Sequence, residues 1–140
     1  MNGDFLDTNI FVYLFDDTDD RKRAIAGRLV RKALESRSAC ISHQVVQETL
    51  NVVTRKLSSP MSLENAQRFL EQILAPLWRK TSSLALYRRG LDIQARYGFS
   101  FYDSLIVAAA LESNCRRLYT EDMQHKQQID GLTIENPFIC

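Results

Sequence analysis

The fold of this chain is decided by residues 101–111, which read FYDSLIVAAAL. From Leu105 to Leu111 every position is apolar, so the pattern predicts a helix that is buried on all sides rather than on one face. The first turn nevertheless contains a carboxylate, Asp103, shortly after Ser100, a residue type that commonly caps the N-terminus of a helix. Such a carboxylate either belongs to the helix cap or forms part of a reactive site.

Short strand candidates alternate with helix candidates along the rest of the chain. Pro76 is expected to limit one helix and Gly98 to close another, and residues 10–15 fit either a strand or a short helix. No gap between strands suits a hairpin, so the alternation predicts an α/β domain with a parallel sheet between helices. The predicted strands cover 4–8, 39–41, 77–81, 116–120 and 132–134. The predicted helices cover 21–37, 43–57, 62–74 and 82–97.

Size, charge and cysteine content fit an ordinary globular protein. The chain has 140 residues, which suits a single domain, 1–140, with a sizeable core. Its formal net charge of +1 argues against tight, non-specific binding to nucleic acid. Cys40, Cys115 and Cys140 have no pairing or metal-binding pattern, and the first two fit small buried positions. Without a signal peptide or a run of apolar residues long enough to span a bilayer, the sequence predicts a cytoplasmic protein.

Four acidic residues occur where predicted strands end or predicted helices begin. Asp7 lies at the end of the first strand, and Asp122 lies two residues beyond a later strand. Glu48 and Asp103 lie in the first turns of predicted helices. Taken singly, each acid has a structural explanation as a cap or a turn residue, and the periodicity of its own helix places Glu48 on a solvated face.

Taken together, the four acids indicate a metal site. The carboxyl ends of parallel strands meet at one edge of a sheet, so we expect the four side chains to lie there together. Two unit charges about 4 Å apart repel by ~4 kcal/mol in a medium of effective dielectric constant about 20, and a divalent cation turns this repulsion into attraction. Oxygen ligands without His or Cys suit Mg²⁺ or Mn²⁺. The expected function is metal-dependent hydrolysis of a phosphodiester.

Several segments resemble the motifs of PIN-domain proteins, most closely those of VapC toxins. The matching segments are FLDTN at 5–9, QE at 47–48, FYDSLIVAAA at 101–110, YTED at 119–122 and LTIENPF at 132–138. They span nearly the whole chain, in the family's order and with compatible spacing. The resemblance implies a three-layer α/β/α sandwich with a central parallel sheet and a Mg²⁺- or Mn²⁺-dependent endoribonuclease that acts on RNA. It also implies a homodimer that is inhibited by a cognate antitoxin protein.

Carried over residue by residue, the resemblance assigns metal binding and catalysis to Asp7, Glu48, Asp103 and Asp122. Thr120 occupies a Ser/Thr position whose hydroxyl helps to orient an acid or a water, and Asn9 matches a supporting polar position. We expect Asp7 and Asp103 to make the most direct metal contacts, because both lie at the ends of rigid elements. Glu121 adds a fifth acid, and the sequence leaves open whether it contributes to the site.

Basic residues near these motifs are candidates for contacts with RNA phosphates, and they are Arg55, Arg88 and Arg89. Three other interpretations stay open. They are a PIN scaffold that binds RNA or protein without cleaving, a HAD-type phosphatase that forms an aspartyl-phosphate, and a purely structural α/β module. The HAD signature requires an Asp where this chain has Asn9, and a structural module requires the acids to point apart.

Overall fold

A central six-stranded sheet organises the computed structural model, which describes residues 3–139. The strand order is β3-β2-β1-β4-β6-β5, and every neighbouring pair is parallel except β5 and β6. The predicted α/β/α fold with a central, mostly parallel sheet is confirmed. The strands are Asp4–Leu6 (β1), Ala39–Ser42 (β2), Trp78–Lys80 (β3), Arg117–Tyr119 (β4), Gln128–Ile129 (β5) and Leu132–Glu135 (β6).

Helices connect the strands as far as β4, and residues 10–15 prove to be helical rather than extended. A 3₁₀ turn at Tyr13–Phe15 extends the first helix. Within residues 3–139, no helix combines the length and the apolar character needed to cross a bilayer. The helices are Thr8–Val12 (α1), Asp20–Ser36 (α2), His43–Arg55 (α3), Leu63–Phe69 (α4), Ala75–Leu77 (α5), Leu84–Tyr97 (α6) and Phe101–Glu112 (α7).

The helical segment that begins at Leu63 continues past the proline that was expected to end it. After α4 the backbone widens into a π-type segment at Leu70–Leu74, and α5 follows with Pro76 in its first turn. A proline removes one backbone N–H donor from a helical path, and here the change of helix type lies directly before it. The helical path therefore extends to Leu77, three residues beyond the predicted end.

Helix α7 confirms the burial predicted from its composition. All residues from Ser104 to Leu111 are buried. The Ser100 hydroxyl caps the helix by accepting a hydrogen bond from the Asp103 N–H at 3.1 Å. Helix α6 packs closely against α7, since a Cβ atom added at Gly90 would lie 2.7 Å from Cδ2 of Leu105. The cap is thus made by Ser100, and the Asp103 carboxylate is left for other contacts.

A hairpin forms at the sheet edge, so the expectation that no gap suits a hairpin is wrong. Strands β5 and β6 are antiparallel and are joined by Asp130 and Gly131, with φ of 49° and 89°. Two successive residues with positive φ make the tight turn that matches strand twist, and Asp-Gly is a sequence typical of it. The Arg96 guanidinium donates two hydrogen bonds of 3.0 Å to the Asp130 carboxylate, which fixes the turn to α6.

Two cysteines lie in the core, as predicted for small buried residues. Cys40 and Cys115 are free and buried, and their Sγ atoms are 3.6 Å apart. Cys140 lies outside the described residues.

The topology brings several strand ends to one place. Strand β1 lies in the middle of the sheet, and Phe5 is paired with Cys40 of β2 and with Leu118 of β4. Asp7 follows β1 directly, α3 begins immediately after β2, and the segment with Thr120 follows β4. The carboxyl ends of three adjacent parallel strands therefore open into the same region, which is where ligands bind in open α/β sheets.

Candidate active site

An open cleft of about 560 Å³ lies at this edge of the sheet. The four acids predicted to meet do line the same cleft, although they come from segments up to 115 residues apart, between Asp7 and Asp122. Acidic side chains dominate the lining. Among the described residues, Lys56 is the one cationic side chain that lines the cleft. The acidic lining residues are Asp7, Asp16, Glu48, Asp103, Glu121 and Asp122.

Asp7 is the most buried of the four predicted acids, with 4% of its surface exposed. It caps α1, and its Oδ1 accepts a hydrogen bond from the Thr8 N–H at 2.7 Å. Its Oδ2 accepts one from the Thr120 hydroxyl at 2.8 Å. Burial raises the pKa of Asp7 to about 7, against the lowering effect of these hydrogen bonds, and the charges of Asp122 and Glu48 raise it further.

Glu48 is held by two neighbours. Its Oε1 accepts a hydrogen bond from the Thr8 hydroxyl at 2.8 Å, and its Oε2 accepts one from the Gln44 amide at 3.2 Å. The same amide donates to the Tyr102 carbonyl at 3.1 Å, so Gln44 is buried between α3 and the start of α7. The solvated face that periodicity predicts for Glu48 is confirmed only in part. Gln47, Asn51 and Arg55 on that face are exposed, but Gln44 is buried against the start of α7 and Glu48 is half-buried.

Asp103 lies in the first turn of α7, and Asp122 lies three residues after β4. Burial raises the pKa of Asp103, and the nearby charges of Asp122 and Glu48 add to the effect. Asp122 is held at its carboxylate, where Oδ2 accepts a hydrogen bond from the Asn9 amide at 3.0 Å. The acids therefore influence one another electrostatically across the cleft.

Thr120 and Asn9 connect these carboxylates, as the resemblance implies for supporting residues. The Thr120 hydroxyl donates to Asp7 and accepts from the Asn9 amide at 3.2 Å and from the Asp122 N–H at 3.1 Å. Oδ1 of Asn9 is buried and has no hydrogen-bond partner among the described residues. One hydroxyl thus links the segments after β1 and β4.

Glu121 also lines the cleft, but its charge is already compensated. Oε2 of Glu121 lies 3.0 Å from Nζ of Lys22, and Oε1 accepts a hydrogen bond from the Tyr13 hydroxyl. Nζ of Lys22 also donates to the Tyr13 hydroxyl at 3.1 Å, and these two hydrogen bonds raise the pKa of Lys22. Sequence reasoning missed Tyr13 and Lys22, because no local pattern links a helix residue to an acid 99 positions away.

The basic residues proposed for phosphate contacts lie elsewhere. Arg55 is exposed and does not line the cleft, whereas the adjacent Lys56 does. Arg88 and Arg89 lie on α6 and are also absent from the lining.

The donor chemistry of the cleft fits a hard divalent cation. Asp7, Glu48, Asp103 and Asp122 supply only oxygen atoms, and none of them forms an ion pair with a cationic side chain within residues 3–139. Asp7 is the buried member of the four, and a buried carboxylate without a positive partner is costly to ionise, a cost that a cation would remove. The oxygens are not gathered tightly, however, since the described residues contain no group of three or more His, Cys, Asp or Glu side chains arranged to hold a metal ion.

Comparison with known proteins agrees with this architecture. The chain is similar in structure to the DNA-bound VapBC of Salmonella typhimurium, with a TM-score of 0.67 and 20% identity over 98% of this chain and 99% of that chain. It is similar to VapBC2 of Rickettsia felis bound to a promoter DNA fragment, with a TM-score of 0.67 and 21% identity over 95% and 97% of the chains. A third similar structure is Mycobacterium tuberculosis VapC20, described as a sarcin-ricin loop cleaving toxin, with a TM-score of 0.61 and 18% identity over 86% and 90%.

Sequence comparison gives the family. No curated protein resembles the chain closely enough in sequence to count as a match. The profile of the PIN domain, however, matches residues 5–129, which is most of the chain and includes all six acids of the cleft. The chain belongs to the PIN domain family.

Proposed function

We propose that the protein is a Mg²⁺- or Mn²⁺-dependent endoribonuclease and the toxin of a toxin–antitoxin pair. Membership of the PIN family and the likeness to VapC structures, one of them described as a sarcin-ricin loop cleaving toxin, support this function. The observation that carries it is the buried carboxylate of Asp7, which forms no ion pair with a cationic side chain within residues 3–139 and lies close enough to Asp122 and Glu48 for their charges to raise its pKa. A cation bound beside such a group favours its ionised form.

In this proposal Asp7 and Asp103 hold the cation most directly, and Glu48 and Asp122 complete its ligands directly or through water. When bound, the cation supplies an activated water and neutralises charge on the phosphate. Thr120 keeps the Asp7 carboxylate in place through its hydrogen bond. The chain's two histidines, His43 and His125, do not line the cleft, so proton transfer at the attacking water falls to a carboxylate.

Replacement of Asp103 by Asn tests this function. We expect Asp103→Asn to abolish Mg²⁺-dependent cleavage of RNA while the fold is retained, because the change removes a charge and not the helix cap. Ser100→Ala is the matched control, since Ser100 provides the cap hydrogen bond. That variant should lose ~1 kcal/mol of stability and keep its activity. Full cleavage activity in Asp103→Asn, measured on purified protein with and without EDTA, would contradict the proposal.

The proposed partners are RNA, a cognate antitoxin and a second copy of the chain, in the cytoplasm. The solved structures described as VapBC support an antitoxin partner. A homodimer is supported by an apolar stripe on α6, where Leu84, Tyr87 and Leu91 are 67%, 40% and 55% exposed at a spacing of three and four residues. A small protein encoded next to this chain should copurify with it and block its cleavage of RNA.

A PIN scaffold that binds without cleaving is the second candidate. The open arrangement of the acids favours it, because no three potential ligands in the described part of the chain converge on one point. Titration with Mn²⁺ followed by a cleavage assay separates the two candidates. Saturable Mn²⁺ binding together with RNA cleavage supports the nuclease. RNA binding with neither Mn²⁺ binding nor RNA cleavage supports the scaffold.

A further inference from the structure

The proposed function creates an electrostatic difficulty for the substrate. The cleft is lined by six carboxylates, and RNA brings one negative charge with every phosphate. A bound divalent cation compensates the phosphate that is cleaved, but the neighbouring phosphates still meet an acidic surface. Binding of a strand longer than one linkage therefore calls for positive charge from the protein itself.

Lys22 is unable to provide that charge, although it lies close to the cleft. Its Nζ is 3.0 Å from Glu121 and lies over the rings of Tyr13 and Phe138, at 4.7 Å and 5.6 Å from their centroids. The carboxylate and the two aromatic faces fix this ammonium group in place. Lys22 and Glu121 together contribute no net charge to the cleft.

Unlike Lys22, Lys56 has no carboxylate partner that compensates its charge within residues 3–139. It follows the last residue of α3, is exposed, and forms no ion pair within residues 3–139, although it lines a cleft rich in carboxylates. A cation at a helix C-terminus is favourable by itself, with ~0.3–1 kcal/mol from the helix dipole. The helix dipole favours Arg55, one residue earlier, equally well. The dipole therefore does not explain why Lys56, and not Arg55, lines the cleft.

The position of Lys56 along α3 defines what it can reach. Glu48, Asn51, Val52 and Lys56 all line the cleft, at the spacing of one helix face. Eight residues separate Glu48 from Lys56, which corresponds to roughly 12 Å along the helix axis. Lys56 therefore lies about two helical turns beyond Glu48, where it could contact a phosphate next to the one at the cation.

We propose that Lys56 binds a phosphate that flanks the cleavage position, so that the RNA strand lies along α3 between Glu48 and the end of the helix. This assignment rests on the proposed function and gives Lys56 a substrate-binding role, separate from the chemical step. Asn51, which is exposed on the same face, lies beneath the path of the strand.

Binding of a short single-stranded RNA, with Ca²⁺ in place of Mg²⁺ and the RNA checked to be intact, tests the assignment. We expect Lys56→Gln to weaken binding about fivefold at moderate salt, the effect of one exposed ion pair. The slope of log K against log salt should become shallower by about 0.7, the value for one phosphate contact on a single strand. In Mg²⁺, KM should rise while kcat stays near that of the unchanged protein.

Arg55→Gln is the matched control, because it removes the same charge one residue away and outside the cleft. It should leave the salt slope unchanged, and Lys56→Arg should restore it. Equal slopes for Lys56→Gln and Arg55→Gln would overturn the assignment of Lys56 and leave the nuclease proposal intact. Absence of RNA binding by the unchanged protein would overturn both.

Discussion

Thr120 is the residue on which the geometry of the cleft depends most directly. Its single hydroxyl donates to Asp7 and accepts from Asn9 and from the Asp122 N–H. Because the proton is committed to Asp7, the orientation of the hydroxyl is fixed. The motif resemblance identified Thr120 as a supporting residue, but the three partners follow from the pairing of β1 with β4.

The raised pKa of Asp7 makes the stability of the ion-free protein depend on pH. The pKa is about 7 in the folded chain and about 3.9 in an unfolded one, so the folded state binds more protons between these values. Stability should therefore fall as pH rises from about 4 through about 7, by up to ~4 kcal/mol. Urea unfolding in EDTA at pH 5 and pH 8 measures this change.

Asp7→Asn provides the comparison for the pH dependence. The variant should lose most of the difference in unfolding free energy between the two pH values, because Asn does not titrate. Addition of Mg²⁺ at pH 8 should raise the free energy of unfolding of the unchanged protein but not that of Asp7→Asn, since an ion that binds the folded state stabilises it. An equal pH dependence in both proteins would exclude Asp7 as its source.

Helices and strands could be predicted from the sequence where residues within the same segment determine their structure. The burial of α7 could be predicted because its apolar composition has no polar face. The β5–β6 hairpin was missed although Asp130-Gly131 is a strong local turn signal, because the strands are short and β5 has two residues. Periodicity predicts a solvated face for Gln44 and Glu48, because the sequence of one helix contains no information about a polar neighbour such as the start of α7.

Two helix glycines should respond in opposite directions to substitution. Gly27 in α2 has no atom within 4 Å of an added Cβ, so Gly27→Ala should stabilise the protein by ~0.5–1 kcal/mol through helix propensity. At Gly90 an added Cβ would meet the buried side chain of Leu105 at 2.7 Å. Gly90→Val should destabilise the protein by ~1–3 kcal/mol through overpacking. Urea midpoints measure both changes. A stabilised Gly90→Val would contradict the packing described for α6 and α7, and a destabilised Gly27→Ala would contradict the open space at Gly27.

For the whole molecule, the convergence of the acids depends on strand order, which no single segment encodes. Parallel pairing could be predicted from the alternation of strands and helices, and the family motifs supplied which acids belong together. Two features could not be predicted from the sequence, because both depend on how α2 and α3 pack beside the sheet. They are the compensation of the Glu121 charge by Lys22 and the position of Lys56 in the cleft. Arg55 was a reasonable candidate from sequence, since one residue of helix rotation decides which side chain reaches the cleft.

The proposed homodimer makes a prediction about the α6 surface. Leu91→Lys places a charge in the apolar stripe and should convert the protein to a monomer, because burial of an unpaired ammonium is unfavourable. Leu63→Lys is the control, since Leu63 is 76% exposed and lies on α4 outside the stripe. Sedimentation velocity should give a dimer for the control and a monomer for Leu91→Lys. A monomeric unchanged protein, or a dimeric Leu91→Lys, would reject this interface.

The central place of β1 has a consequence for how the protein is made. Its neighbours in the sheet are β2, which the ribosome adds early, and β4, which it adds more than a hundred residues after β1. Until Arg117–Tyr119 has left the exit tunnel, one edge of β1 lacks its partner and Asp7 lacks the Thr120 hydroxyl. A nascent chain therefore lacks the complete cleft until β4 has been added, and interrupted translation releases fragments in which one edge of β1 is unpaired and open to proteolysis.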